Sequence, residues 1–230
     1  MGPTQISRSG GVQISLQAYE LRALNMENGK KLWVRDFLQD PPVPFADPQG
    51  GRVVLAWAAR NESGRGEAAR VRRSAQHPRP STLSDPDVFF EVLDVHTGKI
   101  IGGALAQFGG GPESFDGAYS VGDSLILSKD GVRITILSLL TGGEVARLRG
   151  TFSSTSDRTN LLAAADLRRL NLYDLRSGAK YNDFLFPENI AYTHFSADGK
   201  RVLVLTTNQT VYVLDVNAAP ASSATPPATN

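Results

Sequence analysis

Short apolar runs alternate with turn residues along most of the chain, most clearly between Phe195 and Val216. Ala197-Asp198-Gly199-Lys200 is turn chemistry: Asp can bond the backbone two residues on, and Gly takes positive φ without steric cost. Arg201–Thr206 then forms a run rich in Val and Leu, Asn208-Gln209 interrupts it, and Thr210–Val216 adds a β-branched and aromatic run. Runs this short, bounded by turn residues, predict strands rather than helices. Val202, Leu203, Val204 and Leu205 would point alternately to opposite faces, yet all are apolar. A strand that is apolar on both sides is expected to be covered on both sides, as in sheets stacked face to face.

The end of the second run recurs upstream as a polar residue followed four positions later by Gly. The pairs are Asn25 and Gly29, Asp94 and Gly98, Ser138 and Gly142, and Asp174 and Gly178; Asp215 closes the series, with Ala219 in the Gly place. A hairpin explains the spacing. The polar side chain closes one strand by bonding the turn backbone, and Gly adopts positive φ before the next strand. The polar anchors stand at 25, 94, 138, 174 and 215, in steps of 69, 44, 36 and 41 residues. Three of these steps lie close to the period of roughly 40–45 residues of four-stranded propeller blades. A plain antiparallel sandwich would not repeat one hairpin signature at a fixed period.

These residues resemble known families. Phe195–Val216 and Asn171–Gly178 are similar to WD40-type repeats, with Tyr173-Asp174 and Leu214-Asp215 in place of Trp-Asp. Ala23–Trp33 resembles the tryptophan-docking repeat of quinoprotein-like (PQQ-like) propellers. The resemblance spans most of residues 12–216 and implies an all-β propeller of four-stranded antiparallel blades, about five of them. A quinoprotein dehydrogenase would also need a calcium-binding acid cluster and a stacking Trp at the ring centre, and neither can be assigned here.

In chain order, residues 1–11 are polar and are expected to be frayed. Residues 12–216 carry the repeats, and 217–230 form a Pro/Ala/Ser/Thr tail without large apolar residues, expected to be disordered. Val12–Leu16, Tyr19–Asn25 and Lys31–Phe37 predict three strands, so the first blade is expected to lack its opening strand. Pro41, Pro42 and Pro44 mark the crossing to the next blade. Residues 60–86 interrupt the repeat with no strand period. Their arginines, Arg65, Arg70, Arg72, Arg73 and Arg79 among them, suit either a solvated insertion or an arm for an acidic or phosphate-bearing partner. The last blade is short of its closing strand. Either N-terminal residues near Gln5–Ser7 pair onto it, or the chain is the C-terminal part of a longer propeller; the open edges favour the second.

Composition narrows the functional classes. A net charge of +1 gives no field favouring nucleic acid or anionic lipid. The absence of Cys removes disulfides and thiolate metal sites. No apolar run approaches a membrane span, and the first residues lack an apolar signal-peptide core. A soluble chain is therefore expected, cytoplasmic or exported. His77, His96 and His194 lack metal spacing, and no nucleophile motif or phosphate-cradling loop is present. Asp94, Asp174 and Asp215 already have turn roles. The expectation is a non-catalytic propeller binding or scaffold module with a protein partner and no cofactor. The alternative is part of a propeller enzyme or sensor whose active site is not recognisable in this chain.

Overall fold

The computed structural model describes residues 5–37, 39–46, 51–58, 87–107 and 111–217, with Gly66 singly. The chain divides into two compact units, Met1–Asp130 with Thr135–Arg147, and Gly131–Ile134 with Leu148–Asn230.

In the first unit, β1 (Gln5–Ser9), β2 (Val12–Gln17), β3 (Glu20–Asn25) and β4 (Lys31–Asp36) form an antiparallel sheet in chain order. A second sheet repeats the plan with β5 (Val43–Ala46), β6 (Arg52–Ala58), β7 (Asp87–Asp94) and β8 (Ile100–Gln107). The third sheet comprises β9 (Gly117–Val121), β10 (Ser124–Lys129), β11 (Arg133–Ser138) and β12 (Glu144–Arg149), most of it in this unit. Asp130 and Gly131 both take positive φ, 55° and 67°, in the β10–β11 hairpin, the conformation a two-residue turn demands. The first strands of these sheets lie side by side, β1 against β5 and β5 against β9.

The second unit holds a four-stranded sheet of β13 (Thr151–Ser156), β14 (Leu161–Asp166), β15 (Arg169–Asp174) and β16 (Lys180–Leu185). A last sheet of β17 (Ile190–Phe195), β18 (Arg201–Thr206) and β19 (Val211–Asp215) has three strands among the described residues. Again the first strands meet, β13 against β17.

Apolar side chains fill the spaces between neighbouring sheets. Val12, Ile14, Leu21 and Ala23 of the first sheet pack on Val53, Leu55, Trp57 and Leu93 of the second. Val54, Ala56, Phe90 and Val92 pack the other way, on Leu125, Leu127, Leu137 and Leu139 of the third. β6 is thus apolar on both faces because each face meets a sheet. In the second unit Leu161, Ala163, Leu170 and Leu172 pack on Phe195, Val202, Val204 and Leu214.

Three expectations are corrected. The first sheet does have its opening strand: Gln5–Ser9 is β1, paired with β2 rather than with the last sheet. Its residues carry no apolar run, so only pairing reveals the strand. Pro44 lies inside β5, not in a crossing segment. β5 is an edge strand hydrogen-bonded only to β6, a place that tolerates a missing N–H. Finally, β18 is not covered on both faces. Val202 and Val204 are fully buried, but Leu203 is exposed and Leu205 half-buried.

Candidate functional site

The repeat turns share one geometry. Asp94 Oδ1 accepts hydrogen bonds from the Thr97 N–H (2.8 Å), the Thr97 hydroxyl (2.7 Å) and the His96 N–H (3.2 Å). Asp174 Oδ1 accepts the equivalent three from Ser177 and Arg176, at 2.8, 2.7 and 3.1 Å. Asn25 and Ser138 use the same reach, to Glu27 at 2.8 Å and Thr141 at 3.2 Å. Asp215 Oδ1 accepts from the Asn217 N–H at 2.8 Å. Gly29, Gly98, Gly142 and Gly178 have φ of 66°, 67°, 70° and 69°, and each donates its N–H to the anchor carbonyl four residues back. The Thr97 hydroxyl holds the Asp94 carboxyl below the usual Asp range. For Asp174, burial pushes upward and the Ser177 and Arg176 hydrogen bonds outweigh it, so the carboxyl is again lowered.

Eight residues past three of the anchors, the chain meets the next sheet. Trp33 donates from Nε1 to the Val95 carbonyl at 2.8 Å, and its ring lies against Gly98. Gly102 lies against Leu139, where an added Cβ would come within 3.3 Å. Asn182 donates from Nδ2 to the Val216 carbonyl at 3.3 Å. Val95, Leu139 and Val216 each follow an anchor directly and are buried. The first sheet's counterpart, Met26, is 46% exposed. Nothing lies within 4 Å of a Cβ placed on Gly29.

One buried charge pair sits between the first and second sheets. Glu91, fully buried, accepts from Arg35 Nη1 at 2.8 Å, and the guanidinium lies 5.6 Å from the rings of both Phe37 and Trp57. Phe37 meets Trp57 edge to face at 5.3 Å. Both tryptophans are therefore committed to packing between sheets. An open cleft of about 450 Å³ at one end of the first sheet is lined by Gln17, Tyr19, Glu20, Arg22, Asp36 and Phe37. Its Arg22 is ion-paired with Glu20.

Among the described residues, one face of the last sheet is exposed. The pairing of β17, β18 and β19 places Tyr192, Leu205 and Val211 in one row, and His194, Leu203 and Val213 in the next. Tyr192, Leu203, Val211 and Val213 are 52%, 38%, 55% and 61% exposed, and Tyr192 stacks on His194. The residues two and four before each earlier anchor occupy the same register positions. They are Ala23 and Leu21, Val92 and Phe90, Ile136 and Ile134, and Leu172 and Leu170, all fully buried.

The arginines singled out in the insertion, Arg65, Arg70, Arg72, Arg73 and Arg79, lie outside the described residues, as does His77. The nine anchor and glycine positions form turns within their own sheets. His96 is an exposed turn residue and His194 belongs to the open face. Among the described residues no three His, Cys, Asp or Glu side chains gather where they could hold a metal ion, and no helix is long and apolar enough to cross a membrane. The sequence did not mark the open face as special, since Val211-Tyr212-Val213 reads like the buried runs of the other repeats.

No protein-family model and no curated protein matches the chain. Among solved structures it is similar to the crystal structure of Kluyvelomyces marxianus Hsv2, a β-propeller, at 10% identity with a TM-score of 0.51. The match covers 93% of this chain and 62% of that one, so the chain spans less than two thirds of that protein's length. Together with the antiparallel sheets packed face to face in series within each unit, five in all among the described residues, this likeness shows the fold: the chain is a β-propeller.

Proposed function

We propose that the chain is a non-catalytic propeller module that binds a protein partner through the open face of its last sheet. One observation carries this reading: Val211 and Val213 expose apolar surface at positions whose counterparts in the other sheets are buried, and Tyr192 and Leu203 are exposed beside them. A contiguous apolar patch of this kind marks an interaction surface. The carboxylates that a catalytic reading would need are occupied in turns, Asp94 and Asp174 above all. The Trp33–Gly98 contact and the Trp33 hydrogen bond to Val95 support a repeat of the tryptophan-docking type.

The test is paired retention. A protein that binds the immobilised chain is purified and rebound to the unaltered chain and to a folded Val213→Lys variant. Retention by the first and loss by the second is expected; equal retention by both would remove this face from the function.

A further inference from the structure

We propose that the outer edge of β19 is a self-association site, where β19 of a second copy of this chain adds antiparallel and joins the two last sheets into one. This edge is distinct from the open face, and pairing along it is independent of what the face binds.

β19 borders its sheet with no strand beside it among the described residues. Thr206 donates its N–H to the Thr210 carbonyl at 3.0 Å, and Val216 donates to the Lys200 carbonyl at 2.9 Å, at the two ends of the β18–β19 ladder. Hydrogen-bonded pairs alternate along an antiparallel ladder. Tyr212 and Leu214 therefore bond inward to β18, and the N–H and C=O groups of Val211 and Val213 point to the outer edge. In the other sheets a fourth strand takes up this edge, starting where the Asn25, Asp94, Ser138 and Asp174 N–H groups donate to carbonyls five residues on.

Edges that stay free are blunted by charges, prolines or bulges. The outer strands β4, β12 and β16 carry Lys31 and Asp36, Glu144 and Arg149, and Lys180 and Asp183. Residues 211–214 carry no charge and no proline, and they pair with β18 without a register shift. A second copy fits this edge because Val211-Tyr212-Val213 reads the same in both directions. A two-fold axis at Tyr212 sets Val211 opposite Val213 of the second copy, and Val213 opposite its Val211. These are the residues whose backbone groups face outward, so each pair can exchange N–H···O=C bonds. The same rotation keeps both apolar faces on one side and sets valine against valine across the seam, an isologous contact. A net charge of +1 opposes the approach little.

Sedimentation equilibrium of the full chain between about 1 and 100 μM tests the association. The mass should rise with concentration from 24.7 kDa towards twice that value. Val213→Pro removes an outward N–H and no bond to β18, so it should weaken dimerisation roughly tenfold or more while the melt stays cooperative. A milder pair of variants fixes the register, since the chain has no cysteine of its own. Under mild oxidation, a mixture of Val211→Cys and Val213→Cys chains should form the mixed disulfide, because the paired Cα atoms would lie about 5.5 Å apart. Either variant alone should cross-link poorly, its thiols being out of step along the strands. A chain that stays monomeric over this range would overturn the proposal, as would dimers that give no more mixed disulfide than either variant gives alone. A folded Val213→Pro variant that dimerises as tightly as the unaltered chain would overturn it too.

Discussion

Replacing Gly98 by alanine disturbs two things that Gly29→Ala disturbs only in part. Both glycines have φ near 67°, Gly98 at 67° and Gly29 at 66°. Alanine in left-handed backbone costs about 1–2 kcal/mol, offset by about 0.4–1 kcal/mol from a stiffer unfolded chain. Gly29→Ala should therefore destabilise by roughly 0.5–1.5 kcal/mol, with no neighbour within 4 Å to add to it. At Gly98 the new Cβ would lie 2.9 Å from Trp33 Cδ2 and 3.0 Å from Cγ, well inside the ordinary carbon–carbon contact of about 3.5–4.0 Å. Overpacking of that kind adds about 1–3 kcal/mol. Displacing the indole also endangers its hydrogen bond to Val95, a further ~1 kcal/mol. Gly98→Ala should thus destabilise by roughly 2–5 kcal/mol. Urea unfolding followed by tryptophan fluorescence measures both variants, since Trp33 and Trp57 both belong to the first unit. In a Trp33→Ala background, where Trp57 remains as the reporter, the extra penalty at Gly98 should vanish. Equal effects of the two glycine substitutions, or a Gly98 penalty that survives the loss of Trp33, would refute the docking geometry.

Glu91→Ala leaves the Arg35 guanidinium half-buried without its carboxylate partner and should destabilise the first unit by about 3–5 kcal/mol. Removing both charges with Glu91→Leu and Arg35→Met should cost clearly less in the same urea assay, and a double variant no more stable than the single one would contradict this. Asp94, Asp174 and Asp198 have carboxyls held below the ordinary Asp value by hydrogen bonds from Thr97, Ser177 and Ser196. Their folded pKa values lie below the unfolded ones, so the stability they contribute is present above about pH 4–5 and is lost as pH falls through the folded values. The urea midpoint should drop between pH 6 and pH 3, and Asp94→Asn should drop less across that interval; parallel losses would show that Asp94 is not part of the acid response.

The sequence made the hairpins legible because their chemistry is local. Asp94, Thr97 and Gly98 lie within five residues of each other, and the bonds they make close one turn. The same locality places the ends of β7, β11, β15 and β19. β1 was missed because Gln5-Ile6-Ser7-Arg8-Ser9 has no apolar run, and pairing with β2 alone defines it as a strand. The opposite error befell β18. Leu203 and Leu205 look like buried residues because nearby sequence cannot state whether another sheet follows. The partnership of Trp33 with Val95 and Gly98 spans 62 residues to Val95 and belongs to packing between sheets, which only the tertiary structure orders. For the same reason the open face, the candidate site, could not be read from the chain: its residues differ from their buried counterparts in surroundings and not in kind.

The most direct test compares two thiols at one register position of the repeat, in the chain that otherwise lacks cysteine. Leu172→Cys lies two residues before the Asp174 anchor, fully buried against the next sheet, and Val213→Cys lies two before Asp215, 61% exposed. Labelling under native conditions should be fast at position 213, close to the rate in the urea-unfolded chain, and slower by orders of magnitude at position 172. Comparable protection at both positions would contradict the account, because the last sheet would then already be covered.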